Sequence, residues 1–274
     1  MTYDHRPRFG TNYYALRGRI SILSEAYSHD PFETRVRATY AYVRELLSLV
    51  AERAASIRAL SAGASAAVAG WGPDRGLAVP VRARLTTTPF DGDVTFEQLE
   101  PSSDTVGREP GVRRGMRRTG RYRTERMPVY DRFEPVVSRP IPYGYAVAAA
   151  DTAALRLLQD HGVEIRRLTA DWSGDAGPQW ITDSAVVAPR PFQGRREVRL
   201  VGRWEGSGVV RLPAGTRIVP VAQPLGVVAM YLLEPESDDG IVNWDVGGRV
   251  TGGGGAPAIV RLARSPGVPM ERVH

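Results

Sequence analysis

The hydrophobic pattern near the N-terminus predicts a strand followed by a long helix. Residues 20–23 form a short apolar run typical of a buried strand, and polar residues 25–29 follow it. Apolar side chains then recur every three or four residues, as they do on one face of an α-helix. These positions are Phe32, Val36, Tyr40, Val43, Leu47, Val50, Ala54 and Ile57. We expect Asp30 to cap this helix and Gly63 to end it.

Further along the chain the pattern becomes that of a strand-rich domain. Residues 61–76 are small and rich in glycine, which is typical of a connection between domains. Apolar and polar positions then alternate over residues 79–85 and again over residues 198–204, as they do in half-buried strands. Two short amphipathic stretches at residues 152–160 and 224–233 predict helices between the strands.

These elements predict a mixed α/β chain with two domains. Residues 1–62 form the first domain, residues 63–76 link it to the second, and residues 77–274 form a strand-rich α+β domain. The second domain contains a basic, weakly apolar segment at 101–126, which we interpret as a loop. Asp151 is the expected N-cap of its first short helix.

Composition excludes several kinds of chemistry. The 274 residues include no cysteine, which excludes disulfides, zinc–thiolate sites and a cysteine nucleophile. All 36 basic residues are arginine, so no lysine is present for Schiff-base or P-loop chemistry. Residues 108–126 contain eight arginines and two glutamates and so carry a net charge equal to the +6 of the whole chain. We interpret this segment as a solvated face and do not expect nucleic acid to be a partner.

Two motifs have the composition of metal sites but not the required context. His161 and Glu164 show the H-x-x-E spacing of zinc ligands, but Gly162 between them is a helix terminator. Their side chains therefore need not share a face. The acidic residues of 234–240 lack the spacing of an EF-hand, and we interpret them as a solvated turn.

Glu25 stands between the apolar run and the helical stripe. A carboxylate at the carboxyl end of a strand, just before a helix, lies where α/β sheets usually carry their chemistry. The position therefore makes Glu25 a candidate catalytic residue, whose carboxyl pKa would rise if the group is partly buried between strand and helix. The alternative is a polar loop residue that happens to precede a helix.

Two blocks of sequence resemble bacterial zinc carboxypeptidases of the carboxypeptidase A family. Residues 7–28 (PRFGTNYYALRGRISILSEAYS) and the helix after them resemble the end of the peptidase domain, in which the last strand carries a catalytic glutamate. Residues 213–240 (PAGTRIVPVAQPLGVVAMYLLEPESDDG) resemble the tail that follows this domain in some members. The resemblance implies the terminal strand and helix of an α/β/α peptidase domain, followed by a strand-rich accessory domain.

The resemblance also implies a reaction and a set of residues. In this family a zinc-bound water attacks the peptide, and a glutamate acts first as general base and then as general acid. Glu25 matches that glutamate by position, and Tyr13, Arg17 or Arg19 could hold the substrate carboxylate or support the oxyanion.

This sequence departs from the family pattern at the zinc ligands. The family places an H-x-x-E pair and a later histidine before the catalytic glutamate, whereas His5 is the one histidine before Glu25 here. We therefore expect the C-terminal part of a longer peptidase, which alone binds no catalytic zinc and cleaves no peptide until the missing N-terminal part is supplied.

Other functions and partners remain open beside this hypothesis. The strand-rich domain could be a non-catalytic binding or interaction module, and the arginines of 108–126 could bind nucleic acid. Helix 31–62 is a candidate surface for pairing with another chain. We see no signal peptide and no membrane-spanning run, and expect a soluble protein of unknown compartment.

Overall fold

The computed structural model describes residues 4–28, 30–103, 112, 115–206, 208–256 and 258–273. It divides into two compact units. The first unit contains Asp4, Ile22–Ala59 and the described part of Leu85–Phe133. The second contains His5–Ser21, Leu60–Arg84 and the described part of Glu134–His274.

Both helices and strands are present, so the predicted mixed α/β class is confirmed. The described helices are α1 (Thr11–Leu16), α2 (Phe32–Glu52), α3 (Ala54–Ala69), α4 (Thr152–Asp160) and α5 (Gly226–Leu233). The described strands are β1 (Ala78–Thr87), β2 (Gly92–Pro101), β3 (Met116–Met127), β4 (Tyr130–Pro140), β5 (Gly144–Val147), β6 (Ile165–Leu168), β7 (Trp172–Asp175), β8 (Gln179–Val187), β9 (Val198–Glu205), β10 (Val209–Leu212), β11 (Arg217–Pro220), β12 (Ile259–Leu262) and β13 (Met270–Val273). None of the helices in the described residues combines the length and apolar character needed to cross a membrane.

The predicted strand at residues 20–23 is wrong. Residues 19–27 have no regular secondary structure, and Ile20, Ile22 and Leu23 are each more than half exposed. A strand is stable only when its backbone groups pair with a neighbouring strand. Among the described residues no strand pairs with this segment.

The helical stripe lies in a helix as predicted, but its ends differ from the prediction. The N-cap of α2 is Pro31 and no side chain caps the helix, so Asp30 does not act as predicted. The helix breaks briefly at Arg53 and continues as α3 past Gly63 to Ala69, through the first half of the predicted linker 63–76. Alanine predominates there and is the strongest helix former, which explains why the small residues form a helix and not a turn.

The predicted basic loop at 101–126 is partly a strand. β3 pairs antiparallel with β2 and places Arg117 opposite Glu100. Opposite charges that face each other across a strand pair stabilise the pairing. The carboxylates of β2 provide the negative charges opposite the arginines of β3. Residues 104–111 and 113–114 lie outside the described residues.

The second unit is built on a five-stranded sheet in the order β12–β5–β11–β6–β13, whose pairings are all antiparallel. Side chains alternate between its two faces. Tyr145 and Val147 of β5 pack with α4 and α5, whereas Ala146 between them packs on the opposite side with Leu212 of β10. The sheet thus has a helical layer on one face and the β7–β10 pair on the other.

Several predictions in this unit are confirmed. β1 and β9 form where apolar and polar residues alternate, and α4 and α5 form at the two predicted helical segments. The Asp151 side chain accepts a hydrogen bond from the backbone N–H of Ala154 at 3.3 Å, and Gly162 ends the turn after α4 with a φ of 78°. α5 approaches its preceding turn so closely that a Cβ at Gly226 would lie 1.9 Å from a carbonyl oxygen.

Removing the cap of α4 should weaken the helical layer. Asp151→Ala deletes a buried N-cap acceptor, and we expect a loss of about 1 kcal/mol of unfolding free energy in urea denaturation. Asp160→Ala is the matched control, because this exposed carboxylate lies at the opposite end of the same helix. Equal midpoints for Asp151→Ala and the wild type would show that the cap does not stabilise α4.

Candidate functional site

Glu25 lies in the irregular segment 19–27 and belongs to the first unit. Its side chain is exposed, so the condition of partial burial between a strand and a helix is not met. The strand that would have fixed the direction of the carboxylate is absent from this segment. The catalytic role of Glu25 stays a prediction.

Two of the three predicted substrate residues meet in the second unit. Tyr13 and Arg17 are four residues apart at α1, a spacing that brings side chains together on one helix face. An Arg17 NH1 group donates to the Tyr13 hydroxyl at 2.8 Å and to the carbonyl oxygen of His161 at 2.8 Å. The Tyr13 hydroxyl lies 2.7 Å from Nδ1 of His161. His161 stands at the H-x-x-E spacing of a metal ligand in the sequence, but here it contacts Tyr13, and no local pattern predicts that contact.

The protonation of His161 follows from these contacts. Burial, helped by the nearby Arg17 cation, lowers the pKa of His161 below its usual value, which favours the neutral imidazole. Arg17 can only donate, so the Tyr13 oxygen accepts from it. The Tyr13 hydroxyl and Nδ1 of the neutral imidazole share one hydrogen bond.

Arg19 does not join this cluster. Its guanidinium donates to the Ser61 carbonyl at 3.3 Å and to the Ser65 hydroxyl at 3.0 Å, and these contacts hold it against α3. Its predicted role as a substrate contact, like those of Tyr13 and Arg17, is not tested by these contacts.

The acidic segment 234–240 is not the solvated turn that we predicted. Glu234, Ser237 and Asp239 are buried, and Glu234 has no exposed surface. The segment directly follows α5, whose residues are apolar on nearly all sides, and the burial of α5 carries it into the interior. The sequence does contain one sign of this burial, because the acidic residues follow an apolar helix with no polar spacer between them.

Arg8 occupies the centre of this acidic segment. Its side chain is 6% exposed, and its Nε donates to Asp239 at 2.7 Å. An NH2 group donates to the Asn243 side-chain oxygen at 2.9 Å, and NH1 pairs with Glu197. The guanidinium carbon lies 4.2 Å from the ring centroid of Trp244, within the range of a cation–π contact.

A second ion pair holds the same N-terminal segment. Nε2 of His5 lies 2.6 Å from a carboxylate oxygen of Asp238, and the Tyr231 hydroxyl donates to the other oxygen of that carboxylate. Burial, with a contribution from Asp238, raises the pKa of Tyr231, so this phenol stays protonated and donates. His5 and Arg8 thus attach the start of the segment 5–17 to the segment 234–245.

A cleft of about 960 Å³ lies among these elements of the second unit. Its size falls at the upper end of the range usual for ligand pockets. Tyr13 and Leu16 of α1, Leu157 and His161 at α4, and Val228 of α5 contribute to its wall. The residues that complete the wall include Arg8, Arg156, Gln193, Arg195, Leu232, Trp244 and Val246.

A separate polar cluster lies within the core of the second unit. The Tyr145 hydroxyl donates to Glu234 at 2.6 Å, and the Arg261 Nε lies 3.1 Å from the same carboxylate oxygen. Burial raises the pKa of Glu234 although Arg261 opposes this shift. Arg261 also lies over the ring of Trp204 at 5.1 Å. The cavity beside this cluster measures about 70 Å³, so we interpret the cluster as part of the core.

The arginines of β3 face carboxylates of β2. Arg117 pairs with Glu100, Arg121 lies 3.4 Å from the same side chain, and Arg118 lies 3.7 Å from Glu97. These pairings reduce the positive potential that a phosphate backbone would meet. Nucleic-acid binding through this strand gains no support from the contacts.

The described residues do not fit a zinc site. Among them no group of three or more histidine, aspartate or glutamate side chains is placed to hold a metal ion. Glu164 pairs with Arg166 at 2.9 Å and with Arg272 at 3.4 Å, whereas His161 contacts Tyr13. The H-x-x-E letters at 161–164 therefore serve two separate structural roles.

Comparison of the chain with protein-family models, with curated proteins and with solved structures finds no match. The function is therefore inferred from the residues and their geometry.

Arg17→Gln should raise the pKa of His161, because it removes a cation that disfavours the imidazolium while keeping a donor to Tyr13. The measurement is an NMR titration of the imidazole protons, with Arg19→Gln as the control that leaves His161 unchanged. In the unfolded state the imidazole has its usual pKa of about 6.5, whereas its pKa in the folded state is lower. The unfolded state therefore binds a proton first as the pH drops below about 6.5, and the free energy of unfolding falls. This loss should be smaller in Arg17→Gln. An unchanged titration would contradict the electrostatic contact.

Proposed function

We propose that this chain contributes the general base Glu25 to a zinc carboxypeptidase-like hydrolase that acts on peptides. The observation that supports the proposal is the exposure of apolar side chains on both sides of Glu25 in the first unit. Ile22, Leu23 and Tyr27 flank the carboxylate in sequence and are each more than half exposed. Exposed apolar surface of this extent is typical of protein contacts.

Apolar side chains are exposed along α2 as well. No residue of this helix is buried, and Phe32, Tyr40 and Leu47 of its apolar stripe are each exposed by 64% or more. A helix of this kind usually buries its apolar face against a sheet or another helix. We infer that further polypeptide covers this face and supplies the metal ligands, which the described residues lack.

In the proposed hydrolase Glu25 accepts a proton during the attack on the peptide and returns one to the leaving amine. The exposed carboxylate is free to take this position once the covering polypeptide fixes its direction. The assignments of Tyr13, Arg17 and Arg19 to substrate binding rest on the family resemblance. This chain alone is expected to be inactive.

The test is reconstitution with the polypeptide encoded in frame before Met1. We expect that polypeptide to contain an H-x-x-E pair and a later histidine, and its co-expression with this chain to give chelator-sensitive release of C-terminal residues from peptides. Glu25→Gln should lower the rate by about 10²-fold or more, as expected for the loss of a general base.

Glu33→Gln is the control, because Glu33 is an exposed carboxylate of α2 paired with Arg37. Full activity in Glu25→Gln would overturn the assignment of the base. Peptidase activity of the purified chain alone, or an upstream reading frame without these ligands, would overturn the proposed need for a second polypeptide.

A second candidate function is a binding module in the second unit. The observation that favours it is the cleft of about 960 Å³, whose wall is formed by α1, α4 and α5 and does not include Glu25. Binding in this cleft requires neither a metal nor the first unit.

A further inference from the structure

The cleft of the second unit has an apolar floor. Leu157 of α4, Val228 and Leu232 of α5, Leu16 of α1 and Val246 all contribute to it. Such a surface favours a ligand with an apolar body, because binding removes apolar area from water on both sides.

A neutral imidazole lies at the cleft. Burial and the nearby Arg17 cation lower the pKa of His161, whose Nδ1 contacts the Tyr13 hydroxyl at 2.7 Å. His161 is half-buried and belongs to the wall of the cleft. This residue therefore adds no charge to the wall.

Two of the arginines at the cleft are held in ion pairs. Arg8 is neutralised by Asp239 and Glu197, and Arg156 pairs with Asp160 at 3.1 Å. Within the described part of the chain the Arg195 guanidinium makes no hydrogen bond or direct ion pair. Burial raises the pKa of Asp245, but hydrogen bonds from Thr251 and Val250 and the more distant charge of Arg195 outweigh it and lower that pKa. The cleft thus combines an apolar floor with an arginine that no carboxylate contacts directly and a neutral imidazole.

We propose that this cleft binds an apolar monocarboxylate, with the carboxylate attracted by Arg195 and the apolar body on the floor between α4 and α5. The inference rests on the second candidate function, the binding module, and names its ligand class. A carboxylate is favoured over a neutral polar group because its oxygens accept charge-assisted hydrogen bonds from a guanidinium. A carboxylate ligand is also favoured over a cationic one. Among the described residues, the carboxylates at the wall, Asp160 and Asp239, are already paired with arginines.

The test uses 4-phenylbutyrate and its neutral analogue 4-phenylbutan-1-ol in isothermal titration calorimetry with the full chain. We expect saturable one-to-one binding of the acid, about 10-fold tighter than that of the alcohol, since the acid gains a charge-assisted hydrogen bond. Arg195→Gln should remove this difference by weakening the acid alone. Arg199→Gln is the control, since Arg199 is an exposed arginine of β9 that is not part of the wall.

Leu157→Trp locates the binding. The larger ring should fill the floor and abolish binding of both compounds, and circular dichroism establishes that this variant and Arg195→Gln remain folded. Binding of the acid that survives Leu157→Trp in the folded protein, or no saturable binding of the acid to the wild type, would overturn the proposal.

Equal affinity for the acid and the alcohol would show that the cleft does not select carboxylates, and would overturn the proposed ligand class. The second candidate function, a binding module, would not be contradicted by that result. Glu25→Gln should leave both affinities unchanged, which keeps this result separate from the proposed peptidase.

Discussion

The buried guanidinium of Arg8 is the contact on which the position of the N-terminal segment, and with it one wall of the cleft, depends. It lies against two carboxylates, Asp239 and Glu197, and over the ring of Trp244, in a setting from which water is nearly excluded. Removing one partner of such a group leaves an uncompensated buried charge, which costs about 3–5 kcal/mol. Through its contact with Asp239, Arg8 holds the N-terminal segment against a segment more than two hundred residues later. The two segments together contribute one wall of the cleft.

The two units differ in how their apolar residues are covered. In the second unit the sheet lies between a helical layer and a strand pair, and its largest side chains are fully buried. In the first unit the long helix and the segment around Glu25 keep their apolar side chains exposed. The apolar face of α2 is therefore the surface that we propose other polypeptide completes.

Local patterns predicted the elements whose stability is local. The helix after Asp151 has a cap, an apolar stripe and a terminating glycine within a dozen residues, and it forms where predicted. The apolar run at 20–23 satisfied the local pattern of a strand but has no partner strand in the described residues, and so remains irregular. β3 shows the opposite case. Its many arginines are typical of a loop when the segment is considered alone, but carboxylates of β2 lie opposite them in the strand pair.

The candidate sites were less predictable than the fold. Tyr13 and Arg17 were predicted only as substrate contacts. Their partner His161 lies more than 140 residues away, and only the tertiary structure brings it close. The acidic residues after α5 were misjudged because acidic turns are usually solvated, whereas here Arg8 compensates their burial. Contacts of this range leave no periodic signal in a single sequence.

Hydrogen exchange in Arg8→Met tests the dependence on Arg8 most directly. If Arg8 holds residues 5–17 in place, the amides of Tyr14 and Arg17, which bond to Gly10 and Tyr13, lose their protection in this variant. The amides of the sheet should keep theirs, and the pKa of His161 should move towards its usual value as the wall opens. Unchanged protection of residues 11–17, with an unchanged His161 titration, would show that the N-terminal segment and the cleft form without Arg8.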